Sequence, residues 1–201
     1  MISFQKRFLF VHIPRSAGNS IQSVLRNYSE DEIVSSRRHQ DGIERFGVRN
    51  PNYTIKKHST LAEYRAALGE EQFRGLYKFT CVRNPWDRLI SYYFGTGDQV
   101  AKWDREAFET LVLRTLSVAD YLQLEEGEKD PFGNVNRMMR FETLAEDFRA
   151  VCAELDIPET TLPAYNRSPR ECYSQYYDNK LRALVAERFA LEIARFGYTF
   201  D

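Results

Sequence analysis

The sequence predicts an α/β layer fold with a central, mostly parallel sheet flanked by helices. Two continuous apolar runs, residues 8–13 (FLFVHI) and 76–82 (LYKFTCV), have the length and composition of buried strands. Each is followed by a short loop of small or turn-forming residues, and then by apolar residues at helical spacing. Strand–loop–helix units in this order build parallel sheets through right-handed crossovers. The 201 residues are enough for one core and short for two, so one domain over 1–201 is expected.

The elements follow in order. After the first run, residues 14–18 (PRSAG) break the apolar pattern, and Ile21, Val24, Leu25 and Tyr28 resume it with helical period. Residues 29–52 are polar and irregular and read as a long surface insertion. Thr60 and Glu63 have capping-box spacing, predicting a helix from Leu61 to Leu68 that stops at Gly69. After the second run, Asn84 suits an N-cap and Pro85 the first helical position of a helix ending near Gly95.

Residues 95–104 are a candidate mobile loop, followed by short helices at 106–115 and 118–124. Residues 138–141 read as a short strand. Thr143 and Glu146 form a second capping-box pattern, with Leu144, Phe148, Val151 and Leu155 facing inward. Residues 163–177 are loop-like. One helix over 179–196, capped by Asp178 and ended by Gly197, closes the sequence.

Composition narrows the function. A net charge of −1 disfavours a nucleic-acid partner, and the short basic run at Arg37 to His39 reads as a solvated loop. Cys81, Cys152 and Cys172 show no metal-like spacing and no CxxC, so no metal is expected and a reducing compartment is favoured. No segment approaches the ~20 apolar residues of a membrane span. The start of the chain has no leader-like apolar stretch, so stable membrane insertion is not expected and a cytoplasmic location is.

The two loops carry the chemistry. In the first, Arg15, Ser16, Ala17, Gly18, Asn19 and Ser20 stand where a helix begins. The amides of a first helical turn lack intrahelical partners and, with the helix dipole, attract an anion. Arg15 adds positive charge, and Ser16 and Ser20 add hydroxyls. The spacing is not that of a Walker A loop: Gly18 is its single glycine and no Lys precedes Ser20. In the second loop Arg83 ends a strand, where parallel sheets bind ligands. Ser91 lies two turns into the next helix, and the two could converge on one phosphate. Asp87 and Arg88 read as a structural ion pair or as surface charges, and Trp86 as packing. Of the histidines, His12 reads as a core residue, His39 has no supporting pattern, and His58 precedes a capped helix.

The pair FVHIPRSAGNSI and KFTCVRNPWDRLISYY resembles the two nucleotide-binding signatures of the sulfotransferases, most closely those of family 2, which includes carbohydrate O-sulfotransferases and short bacterial members. The similarity continues in HSTLAE from His58, in MRFETLAEDF, and in residues 164–200. It implies a three-layer, P-loop-like sulfotransferase fold. It also implies a donor, 3′-phosphoadenosine-5′-phosphosulfate (PAPS), leaving 3′,5′-ADP (PAP), and a small-molecule or glycan acceptor sulfated at a hydroxyl or amine. On the resemblance, residues 15–20 grip the 5′-phosphosulfate and Arg83 and Ser91 the 3′-phosphate. Arg167 and Ser168 belong to a segment that closes over the nucleotide. His58 matches a proposed general base, and Arg15 stands where the family has Lys. Arg keeps the charge but does not readily give up a proton. That leaves a PAP-binding member without turnover as an alternative, beside a small-molecule kinase.

Overall fold

The structure is a computed structural model that describes residues 1–35, 46–95, 102–164 and 170–201. Its strands are β1 (Ile2–Ser3), β2 (Phe8–Val11), β3 (Glu32–Ser35), β4 (Phe46–Arg49), β5 (Tyr77–Val82) and β6 (Arg137–Arg140). Its helices are α1 (Gly18–Leu25), α2 (Leu61–Leu68), α3 (Glu70–Arg74), α4 (Pro85–Gly95), α5 (Arg105–Arg114), α6 (Val118–Leu122), α7 (Leu144–Glu154), α8 (Asn179–Arg188) and α9 (Ala190–Phe196).

The two apolar runs are neighbours in the sheet, whose order is β1-β2-β5-β6. β2 and β5 are parallel, as are β5 and β6, while β1 pairs antiparallel with β2 at the edge. Side chains alternate across a pleated sheet, and here the alternation divides the core in two. Leu9, Val11 and Val82 join the apolar faces of α2, α4, α5, α6 and α8 on one side. Phe8, Phe10, Phe79 and Cys81 join α1 and α7 on the other. The continuous apolar character of both runs follows from this burial on two faces.

The local signals at the starts of α2 and α4 are met. Thr60 Oγ1 accepts from Glu63 N–H at 3.2 Å and Glu63 Oε2 accepts from Thr60 N–H at 2.8 Å, which closes the expected capping box. Asn84 Oδ1 accepts from Trp86 N–H at 3.1 Å at the start of α4. Trp86 is buried as packing, its indole N–H donating to Arg182 O.

Four expectations are corrected. Residues 29–52 are not all irregular: β3 and β4 form an antiparallel hairpin. Beside it, buried Asp31 accepts from Ile2 N–H at 2.9 Å and from Asn50 Nδ2 at 2.6 Å. Thr143 makes no capping box, because a 3-10 turn over Phe141–Thr143 runs straight into α7. Its hydroxyl donates instead to Asp147 at 2.8 Å. The last helix is two, parted at Phe189, whose φ of −115° leaves the helical region. Asp87 and Arg88 do not pair. Arg88 is 1 % exposed, its Nη2 lying 3.7 Å from Glu192 Oε1 and donating to Leu116 O at 3.0 Å. Glu192 Oε2 accepts from Val118 N–H at 2.6 Å. This buried pair ties α4 and α6 to α9. The loop expected after Gly95 falls largely on residues 96–101, outside the described residues.

Removing one member of a buried pair strands the other charge, which costs about 3–5 kcal/mol. Glu192→Ala should therefore lower the urea midpoint strongly. Glu32→Ala, which breaks an exposed pair with Arg49, should cost less than about 1 kcal/mol. Equal midpoints for the two variants would show that the Arg88–Glu192 contact does not hold the helical layer.

Candidate active site

The first loop leaves β2 through His12 and Ile13, both buried, and turns into α1 at Gly18. Arg15 and Ala17 adopt positive φ, 67° and 57°, a region that costs a non-glycine residue about 1–3 kcal/mol. Left-handed residues among right-handed ones gather successive N–H groups into a concavity that suits an anion. Ala17 occupies the N-cap and provides no side-chain cap for the first turn of α1. Ser16 is 1 % exposed and its Oγ has no hydrogen-bond partner among the described residues. Gly18 is required by its neighbour: a Cβ there would lie 1.9 Å from His12 Cδ2 and Nε2.

The second loop meets the first. Arg83, at the end of β5, donates from Nη1 to Arg15 O at 3.0 Å. Its Nε and Nη2 hold Asp87 Oδ2 at 2.6 and 2.5 Å, and its guanidinium lies 3.9 Å from the centre of the Phe141 ring. Arg170 pairs with the other oxygen of Asp87. Arg15 Nε donates to Ser91 Oγ at 3.2 Å. The Arg15 guanidinium also lies against Gly95, where a Cβ would stand 2.3 Å from Cζ. Arg15, Arg83 and Arg170 thus form one cationic cluster, with Asp87 shared between two of them. Burial first, then repulsion from Arg83 and Arg170, lowers the Arg15 pKa to about 10. Burial also lowers Arg83, with Asp87 opposing. Arg15 stays cationic at neutral pH.

The expected pairing is therefore altered in detail. Ser91 joins Arg15 and Arg83 joins Asp87, but all four lie in one cluster with residues 15–20. Arg167 and Ser168 lie outside the described residues. Asp87 was visible in the sequence as the i+4 partner of Arg83. Arg170 carries no local signal, since it stands 83 residues from the carboxylate it meets. Glu142 accepts from Asn84 N–H at 2.9 Å and from Tyr198 Oη at 3.3 Å.

His58 lies beside the first loop, its ring centre 4.5 Å from that of His12. His58 Nδ1 is 3.0 Å from His12 O. A carbonyl only accepts, so Nδ1 carries the proton and Nε2 of the neutral ring keeps a lone pair. His12 Nδ1 is 2.8 Å from Gln22 Oε1. Burial drives the His12 pKa well below its usual value, with repulsion from His58 and Lys57 adding to the effect. The His58 pKa is also lowered by partial desolvation, but its ring is exposed, so water screens much of that effect.

Among the described residues no group of His, Cys, Asp and Glu could hold a metal ion, and no helix is long and apolar enough to cross a membrane. The mostly parallel sheet thus carries, at its strand ends, a cationic cluster beside a left-handed turn and an uncapped helix start. The family model described as "Sulfotransferase family" matches residues 1–106, which contain both loops and His58, and the chain belongs to that family. It is accordingly a transferase of the sulfuryl-transferring class. No curated protein and no solved structure matches it.

The buried neutral His12 carries a pH signature. In the unfolded chain it takes up a proton near pH 6.5, and in the fold only at lower pH. Below about pH 6.5 the unfolded state binds more protons, so stability falls by up to about 1.4 kcal/mol per pH unit. Glu192, raised to about 7 by burial, acts with the opposite sign. The readout is therefore a difference: urea midpoints between pH 7.5 and 5.5 should fall more steeply in the parent than in His12→Gln. Parallel slopes would mean that His12 is protonated in the fold.

Proposed function

We propose that the chain transfers a sulfuryl group from PAPS to a hydroxyl or amine of an acceptor, a saccharide or glycan-like molecule, by in-line displacement. The observation that carries the reading is the junction of the two loops through Arg83 Nη1 and Arg15 O. The residues present suit a doubly phosphorylated nucleotide: a cationic cluster, an uncapped helix start, left-handed backbone, and the buried Ser16 hydroxyl, which has no partner among the described residues. Bound there, PAPS would supply a sulfuryl group on a phosphate leaving group.

Residues 15–20 would hold the 5′-phosphosulfate, with the amides of Ala17, Gly18 and Asn19 and the hydroxyls of Ser16 and Ser20 turned to its oxygens. Arg83 and Ser91, with Arg167 and Ser168, would hold the 3′-phosphate. Arg15 would stabilise negative charge on the departing phosphate oxygen without protonating it, since its guanidinium keeps its proton at neutral pH. Positioning and electrostatics of this kind carry most of the catalysis in such transfers. His58 Nε2 would take the proton from the acceptor hydroxyl as its oxygen bonds to sulfur and the sulfur–phosphate oxygen bond breaks. No residue is assigned to a metal, and transfer should survive EDTA.

Arg83→Ala removes charge-assisted hydrogen bonds worth about 1.5–3 kcal/mol and should weaken PAP binding by calorimetry at least tenfold, by order of magnitude. PAP affinity equal to the parent's would remove Arg83 from the nucleotide site. His58→Gln should cut turnover by about 10²–10⁴ and leave PAP affinity unchanged. Full turnover in that variant would exclude His58 as the base. Stabilisation by Mg·ATP greater than by PAP would instead favour a kinase.

A further inference from the structure

A cavity of about 290 Å³ opens between α4, α5 and α6. Two of its lining residues adjoin the cationic cluster in sequence. Pro14 immediately precedes Arg15, and Tyr92 immediately follows Ser91. The cavity therefore borders the loop and the helical turn that carry Arg15 and Ser91, without containing either.

Its lining has two kinds of chemistry. Tyr92, Tyr121 and Leu116 offer ring faces and apolar surface. Arg114 offers positive charge, and no carboxylate lines the cavity among the described residues. Arg88 is almost fully buried beside Glu192, so it presents almost no surface to the cavity. Arg114 is exposed and forms no ion pair among the described residues. The volume is at the small end of the range for ligand pockets, about 300–1,000 Å³, which suits one ring with a short substituent.

We propose that this cavity is the acceptor pocket, and that the acceptor is a single hydroxylated ring bearing a carboxylate. The ring packs against Tyr92, Tyr121 and Leu116, and the carboxylate accepts from Arg114. A phenolic ring and a pyranose share this chemistry. As an acceptor assignment it rests on the sulfuryl-transfer reading, whereas binding of the acid to the cavity does not.

The test measures binding to the full chain, with and without PAP, of 4-hydroxyphenylacetate and glucuronate. Their neutral counterparts, 4-methylphenol and methyl glucoside, are measured alongside. One of the acids should bind at least about tenfold more tightly than its neutral counterpart, and the arm that binds names the ring. Arg114→Gln should abolish that preference. Leu116→Trp, at a side chain already 42 % exposed, should block the ring in either form. Both variants should retain the parent's PAP affinity. Equal binding of acid and neutral forms, or a preference that persists in Arg114→Gln, overturns the pocket while PAP binding still supports the nucleotide reading. Acid preference in a chain that does not bind PAP overturns the nucleotide reading and leaves the pocket standing.

Discussion

The guanidinium of Arg83 holds the two loops together, and the rest of the site depends on it. It is 9 % exposed, so its charge has been taken largely out of water. That cost is offset by Asp87 on one edge, the Arg15 carbonyl on another, and the Phe141 ring beneath. The Arg15 carbonyl belongs to a residue with φ of 67°. The bond from Arg83 therefore also bears on a strained turn, of the kind that persists only where its surroundings over-determine it.

The register of the sheet makes this contact possible. β2 pairs with β5 in parallel, with Val11 opposite Thr80. Continued three residues, that register brings Pro14 level with Arg83. The two loops leave adjacent strands at the same edge, the edge at which parallel sheets collect ligands. The same edge receives α4, whose Ser91 and Gly95 bracket the Arg15 side chain. Glycine at 95 leaves room for the guanidinium, and glycine at 18 leaves room for the His12 ring. His12 is thus wedged between the turn and His58, and its carbonyl orients His58.

One turn before Ser91 on α4, the buried pair of Arg88 and Glu192 joins the helical layer. Arg88 gives its Nη2 to Leu116 O and leaves Nε without a protein partner. One helix therefore serves two purposes: Ser91 and Gly95 meet the cationic loop, while Arg88 and Tyr92 meet the cavity.

The sequence by itself determined the strands β2, β5 and β6, the layer class, and the caps of α2 and α4, and it singled out the two loops that the fold brings together. Those features depend on apolar runs, on spacing within one helical turn, and on residue types at strand ends, all written locally. The helix break at Phe189, the β3–β4 hairpin, the failure of the Thr143 cap and the separation of Asp87 from Arg88 were decided by tertiary structure. So were the meeting of Arg170 with Asp87 and the need for Gly18. For the charged side chains the reason is shared: each takes whichever partner the packed fold brings within reach. For Arg83, Arg88 and Arg170 those partners stand 68, 104 and 83 positions away in the chain.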